Sequence, residues 1–202
     1  MLEVYGDIHS GNCYKVKLLA CLLDLPHRWH HVDILRGESR TVEFLALNPN
    51  GRVPTVVLAD GHSLWESNAI LNYLADGSDF LPGERRLRAE VLQWQFFEQY
   101  SHEPYIATSR YILRYLGNPP ERHAELAARR AGGWSALAVM EGHLRRHDYL
   151  VGARYSIADI ALYAYTHVAA EGGFALDDLP AIRAWLARVA SHPQHVTMDQ
   201  FA

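Results

Sequence analysis

The sequence predicts an α/β domain with the element order βαβαββα, followed by an all-helical domain. Three observations predict this. Strand-like and helix-like segments alternate as far as Ala75, and every strand signal vanishes from Gly83 onward. The join between them, Asp76–Glu84, holds two glycines and a proline, the composition of a linker. The first domain is therefore placed at residues 1–77, the linker at 78–86 and the helical domain at 87–202.

Leu2–Tyr5 reads as a short strand leading into the turn-rich piece Gly6–Gly11. From Asn12, apolar residues recur at Val16, Leu18, Leu19, Leu22 and Leu23, which is helical spacing, and Pro26 stops that helix. His30–Ile34 alternates like a strand, and Arg36–Arg40 is a polar loop. Phe44, Leu45 and Leu47 suggest a short helix that ends before Asn48-Pro49. Pro54–Ala59 and Ser63–Trp65 read as a hairpin turned at Asp60-Gly61, and Ser67–Leu74 is periodic through Ile70, Leu71 and Leu74. In the second domain Leu87, Val91, Trp94, Phe96 and Phe97 open a long helix that reaches Leu116. Asn118-Pro119-Pro120 breaks it, and a second helix runs from about Glu121 to His147. Gly132-Gly133 sits inside that second helix at a cost of roughly 2 kcal/mol relative to alanines, so it marks close packing or a bend. A third helix begins at Ser156 and a fourth spans Leu179–Ala190.

Composition narrows the function classes. The chain has 202 residues, 49% hydrophobic and 21% charged, an ordinary globular balance. No apolar run reaches the ~18–20 residues needed to cross a bilayer, and the N-terminus lacks the layout of a signal peptide. Two cysteines, Cys13 and Cys21, exclude a disulfide-built scaffold and a four-cysteine zinc cage. A net charge of −4 argues against nucleic acid as the main partner. Twelve histidines contain no His-Glu-x-x-His, so no metal is expected. A cytoplasmic protein acting on small molecules remains. Lysine occurs only at Lys15 and Lys17, which fits a coding bias toward arginine.

Three local signatures carry chemistry. In Asn48-Pro49-Asn50-Gly51-Arg52-Val53-Pro54-Thr55, a turn precedes a strand that begins at Pro54, leaving the Val53 backbone able to pair with a ligand of peptide character. The alternative is a plain loop entering a strand. At Glu66-Ser67, serine caps the Ser67–Leu74 helix, whose first-turn N–H groups favour an anion, while Glu66 offers a carboxylate to an ammonium. Together they match an α-amino acid head group; alone, such a pair is an ordinary helix cap. In Ser10-Gly11-Asn12-Cys13, the Ser10 hydroxyl and the following N–H groups would face a reacting atom at the positive end of the first helix; alone, this is an ordinary turn serine.

Taken in order along one βαβαββα unit, these motifs resemble the cytosolic glutathione S-transferases, of the serine-type, bacterial and theta-like kind. Asn-Pro-x-Gly-x-Val-Pro at Asn48–Pro54 and Glu-Ser-x-Ala-Ile-x-x-Tyr-Leu at Glu66–Leu74 carry the resemblance. Ser156-Ile157-Ala158-Asp159 adds a capping box, with Tyr155 and Ile160 in the staple positions, as fold evidence only. The resemblance implies a thioredoxin-like first domain that binds glutathione, and no metal.

It further implies that Pro54 is a cis-proline presenting Val53 to the cysteinyl unit, and that Glu66 and Ser67 hold the γ-glutamyl head. Arg40 or Arg36 would take the glycyl carboxylate, and Arg52 stands where Gln or Ser is common. Ser10 would stabilise the thiolate. Asn12 is a second sulfur donor, as in bacterial relatives resembling disulfide reductases or peroxidases. Cys13 is then a packing residue, with a mixed disulfide as the alternative, and Cys21 lies in the core. Tyr5 and Tyr14 do not match the tyrosine used by other classes.

The electrophile pocket would draw on Tyr105, Ser109 and Tyr111, with Tyr100, His102, Arg110 and Trp134 as further candidates. Trp94, Phe96 and Phe97 fall to core or interface. The implied activity is transfer of glutathione to a small hydrophobic electrophile by a homodimer serving detoxification. A glutathione-dependent peroxidase, disulfide reductase or isomerase, or a non-catalytic binding protein on the same fold, are the alternatives.

Overall fold

The computed structural model describes residues 1–200. It divides into two units, the first built from Met1–Ser78 together with the tail from Pro193, the second from Asp79–His192. The first unit contains β1 (Leu2–Gly6), α1 (Gly11–Leu22), β2 (His27–His31), α2 (Val42–Leu47), β3 (Thr55–Val57), β4 (Ser63–Trp65) and α3 (Ser67–Leu74). The βαβαββα order is as the periodicity indicates. The sheet order is β2-β1-β3-β4, with β1 parallel to β2 and the other pairs antiparallel.

Two boundaries differ from the sequence reading. The strand expected at His30–Ile34 lies at His27–His31, because its register is set by β1: Leu2 pairs with His27 and Gly6 with His31. Beyond Gly6 there is no partner, so Val32 donates one last backbone bond to the Gly6 carbonyl at 3.0 Å and the chain turns away. The hairpin strand expected at Pro54–Ala59 is confined to Thr55–Val57, and Gly61 turns the hairpin at φ +85°.

Val4, Val16, Val56 and Ile70 form a buried cluster of this unit, with Trp29, Leu58, Leu64 and Leu74 packed around it. α1 is buried nearly all round, Lys15 and Lys17 included. The tail explains part of that. Residues 87–202 are expected to be helical, yet the chain from Pro193 returns to the first unit, where Tyr14 Oη donates to the Val196 carbonyl at 2.7 Å and Lys17 Nζ to the Met198 carbonyl at 3.4 Å.

The second unit contains α4 (Arg85–Phe97), α5 (Glu103–Arg110), α6 (His123–Leu144), α7 (Ile157–Thr166) and α8 (Pro180–Ala190). α4 starts two residues inside the expected linker because the Glu84 carboxylate caps it, accepting from the N–H groups of Arg86 and Leu87 at 2.7 and 3.1 Å. The long helix expected to reach Leu116 widens into π turns at Glu98–His102 and Tyr111–Tyr115. The first of these precedes Pro104, whose ring and missing N–H do not fit a regular α-helical ladder.

α6 passes straight through Gly132-Gly133. A Cβ at Gly132 would stand 2.3 Å from the Tyr105 ring, and one at Gly133 2.4 Å from the Phe174 ring, so the glycines admit two aromatic rings against the helix. α7 is buried along its whole length and is held at its start by the Ser156–Asp159 capping box. Asp159, fully buried, accepts from the Leu150 and Ser156 N–H groups, from Ser156 Oγ and from Trp185 Nε1.

Candidate functional site

The register of the sheet brings three chain segments to one end of the first unit. Tyr5 pairs with Thr55 and Thr55 with Trp65. The loop after β1, the Val53-Pro54 step before β3 and the Glu66 step after β4 therefore emerge side by side. The first of these loops feeds α1 and the last feeds α3.

Ser10 is the N-cap of α1, its Oγ accepting from the Cys13 N–H at 3.4 Å. Its own N–H donates to the Asp7 carbonyl at 3.1 Å, and the Asp7 carboxylate accepts from the His9 N–H at 2.8 Å, which shapes the loop. α1 has no acidic residue in its first turn, so the positive end of its dipole is not offset there. Asn12, half-buried in the same turn, accepts at Oδ1 from the Ser67 hydroxyl at 3.2 Å. This bond joins the starts of α1 and α3.

Ser67 does not cap α3 as the sequence suggests. The N-cap is Glu66, which makes no side-chain capping bond, and Ser67 is the first helical residue. The serine side chain instead turns inward, donating to Asn12 and accepting from Lys15 Nζ at 3.3 Å. The N-terminal turn of α3 thus keeps an N–H cluster uncapped by a side chain, which is what a carboxylate needs. Glu66 is exposed and adopts φ 69° and ψ 109°, a sparsely populated conformation for a residue with a Cβ.

The Val53-Pro54 peptide is cis, and the strand ladder begins only at Thr55, so the Val53 peptide lies just outside it. Asn48 holds this approach. Its Nδ2 donates to the Arg52 carbonyl at 2.8 Å and to Thr55 Oγ1 at 3.1 Å, while its Oδ1 accepts from the Asn50 N–H at 2.9 Å. Gly51 sits at φ +61°, where a Cβ would meet Arg40 Nη1 at 2.6 Å and the Ser39 carbonyl oxygen at 2.9 Å. Both facts account for the glycine.

Of the arginines, Arg40 is exposed and donates from Nη1 to the Asn50 carbonyl at 3.1 Å, which ties it to this loop. Arg52 is exposed on the same loop, and Arg36 lies 3.9 Å from the Asp33 carboxylate.

Cys13 is fully buried, and burial pushes its thiol up to about 12. A Cβ at Gly6 would come within 2.9 Å of its Sγ, so the sulfur is packed against β1. That environment suits a core residue, and it removes the thiolate on which a mixed disulfide depends. Tyr14 commits its hydroxyl to the tail, and Tyr5 stacks on the His30 ring at 4.5 Å.

In the second unit the expected ligand-wall residues separate. Ser109 is completely buried, its Oγ donating to the Tyr105 carbonyl at 2.6 Å within the helix, so it has no surface to offer a ligand. His102 and Arg110 are buried too, the first against Thr166 Oγ1 at 2.9 Å and the second paired with Glu171 at 2.8 Å. Tyr105 lies against Gly132, while Tyr111 packs beside Tyr115 and is half-buried. Tyr100 is exposed, and Trp134 stands edge-on to Phe174 at 5.4 Å. Trp94 is buried, but Phe96 is exposed.

Lys15 and Asn48 are the residues the sequence reading misses. The signal for Lys15 is its rarity, since it is one of only two lysines. Asn48 lies in the quoted motif but is legible only as a turn residue. No cluster of three or more His, Cys, Asp or Glu side chains fit to hold a metal occurs among the described residues. No helix there is long and apolar enough to cross a membrane.

The pattern described as the N-terminal domain of glutathione S-transferase matches residues 9–76, and that of its C-terminal domain residues 94–193. A crystal structure of a glutathione S-transferase from Pseudomonas fluorescens is 62% identical, with a TM-score of 0.97 over 98% of this chain and 99% of that one. The disulfide-bond oxidoreductase YfcG of Escherichia coli is 31% identical, over 96% of this chain and 92% of its own. A glutathione transferase of Phanerochaete chrysosporium, solved in complex with oxidized glutathione, is 25% identical with a TM-score of 0.86, over 96% and 92% of the two chains.

Proposed function

The chain belongs to the glutathione S-transferase family, and from that premise we propose that it binds glutathione on its first unit and activates the thiol for attack on a small hydrophobic electrophile. The observation that carries this reading is the 3.2 Å bond between Ser67 and Asn12, which sets a sulfur donor beside an amino-acid head-group clamp. Glu66 takes the γ-glutamyl ammonium, and the uncapped first turn of α3 with Ser67 takes its carboxylate. The Val53 peptide pairs with the cysteinyl backbone. Arg40 and Arg52, on the same loop, are the cations for the glycyl carboxylate.

The sulfur then lies at the start of α1. A free thiol ionises near ~8.5, and only the thiolate is a good nucleophile. Donation from the Ser10 hydroxyl and the Asn12 amide, together with the α1 dipole, favours the anion. A lowering by two pH units corresponds to about 2.7 kcal/mol. The thiolate forms a C–S bond to the electrophilic carbon, and the leaving group departs with the displaced electron pair.

Ultraviolet titration of the thiolate on adding glutathione tests this. A bound-thiol pKa well below that of free glutathione, restored toward it by Ser10→Ala with binding retained, is the expected result. Absence of glutathione binding overturns the reading in favour of a non-catalytic protein on this fold.

A second reading, reduction of disulfides by bound glutathione, is favoured by the Asn12 donor and by the likeness to the Escherichia coli oxidoreductase. There the glutathione thiolate attacks a substrate disulfide, forming a mixed disulfide as one substrate thiolate leaves. A second glutathione thiolate then displaces the other substrate thiolate and oxidized glutathione forms, with Cys13 taking no part. Turnover of a small disulfide with glutathione, measured beside conjugation, separates the two.

Homodimer formation belongs to the same proposal. Leu92 and Phe96 on α4 and Tyr100 in the π turn that follows are exposed at four-residue spacing. Beside them Trp94, Phe97, Val139 and His143 line a groove of about 420 Å³. Sedimentation of the wild type and Phe96→Glu is the check; a monomeric wild type at micromolar concentration refutes it.

A further inference from the structure

We propose that the tail from Pro193 is a strap that positions the sulfur end of the glutathione site, by holding the first turn of α1 closed through Tyr14. This rests on the glutathione reading above. The tail has no helix or strand among its described residues, and Met198 is the one buried side chain of residues 193–200. Its main chain nevertheless receives two buried side chains of α1. Tyr14 Oη donates to the Val196 carbonyl at 2.7 Å and lies 3.4 Å from His195 Nε2. Lys17 Nζ, one turn further along, donates to the Met198 carbonyl at 3.4 Å.

Tyr14 is also the residue that closes the first turn. Its N–H donates to the Ser10 carbonyl at 2.9 Å, while the Cys13 N–H donates to Ser10 Oγ at 3.4 Å. The second bond makes the hydroxyl oxygen an acceptor within the helix and leaves its hydrogen to serve a sulfur. Both bonds exist only while the turn is formed, and the end turns are where a helix frays. The dipole and the first N–H groups act on an anion only within that turn. Tyr14 therefore joins two roles, with its hydroxyl on the tail and its N–H on Ser10. Burial of one methionine is a small stabilising effect. Two side-chain bonds a turn apart instead fix the helix, and they begin at the end that carries Ser10.

The test is the thiolate absorbance of bound glutathione across pH in the full chain carrying Tyr14→Phe, Met198→Ser or both. Each single variant should lower the ratio of thiolate to thiol about fivefold. The double variant should lower it little further, because the two changes loosen one strap. Glutathione affinity at about pH 5, where the bound thiol is protonated, should stay unchanged, since the head-group clamp is on α3. Hydrogen exchange at the Tyr14 amide should quicken in the same variants. An unchanged ratio beside a normal wild-type titration overturns the strap and leaves the glutathione reading intact, even if the melting temperature falls. Losses that multiply in the double variant are two separate effects and overturn it as well. Affinity at acid pH that falls along with the ratio puts the tail's effect on the whole first unit, and the proposal fails. A wild type that forms no thiolate with glutathione removes both readings. If circular dichroism shows Tyr14→Phe unfolded, Lys17→Met loosens the same strap one turn on and must lower the ratio for the proposal to stand.

Discussion

Ser67 and Asn12, 55 positions apart in sequence, meet in a 3.2 Å hydrogen bond that closes the gap between the first turns of α3 and α1. Neither side chain caps a helix in this arrangement. Both are drawn instead into the junction between the two helix starts, where the glutathione site is proposed, and the backbone around that junction departs from the lowest-energy options.

Glu66 is the plainest such departure. At φ 69° and ψ 109° its backbone stores strain of about 1–3 kcal/mol that glycine would not feel. Glu66→Gly should therefore raise unfolding stability by about 1 kcal/mol, while weakening glutathione roughly tenfold through loss of the carboxylate. Thermal melts and calorimetric titration read the two effects separately. A variant less stable than wild type would show that the side chain, not the strain, dominates at this position.

Gly133 and Gly142 lie on the same helix and should respond in opposite directions. A Cβ at Gly133 would press on the Phe174 ring at 2.4 Å, whereas nothing lies within 4 Å of one at Gly142. Gly133→Ala should cost about 1–3 kcal/mol by overpacking. Gly142→Ala should gain up to about 1 kcal/mol from helix propensity. Urea unfolding of both variants decides, and equal shifts would refute the packing account.

Asp159 predicts a pH window. Burial raises its carboxyl to about 6 against the hydrogen bonds that pull the other way, while in the unfolded chain it ionises near the ordinary ~4. The folded state holds the proton more tightly, so this group's contribution is fully present below about pH 4 and is lost as the pH rises to about 6, a change on the order of 3 kcal/mol. The stability difference between wild type and Asp159→Asn should fall by that amount across the window. A difference that stays flat from acid to neutral pH would rule it out.

What the sequence disclosed and what it hid follow one division. Local periodicity and turn chemistry carried the element order, the β4 and α3 limits and the Val53-Pro54 and Glu66-Ser67 motifs. Properties set by a distant partner were illegible. β2 lies three residues earlier than its own alternation suggests because Gly6 ends the strand it pairs with. Lys15 looks like a solvated position on a helix until Ser67 receives its ammonium. Ser109 looks like a pocket hydroxyl until its burial and its bond to Tyr105 are seen.

The return of the tail to α1 gives the first unit a particular history during synthesis. The carbonyls of Val196 and Met198, which receive Tyr14 and Lys17, leave the ribosome only after the whole helical unit has been made. At translation rates of about 5–20 residues per second, that delay is on the order of ten seconds. Through that interval one flank of α1 stands uncovered, so the N-terminal unit starts to fold first yet is the last to finish.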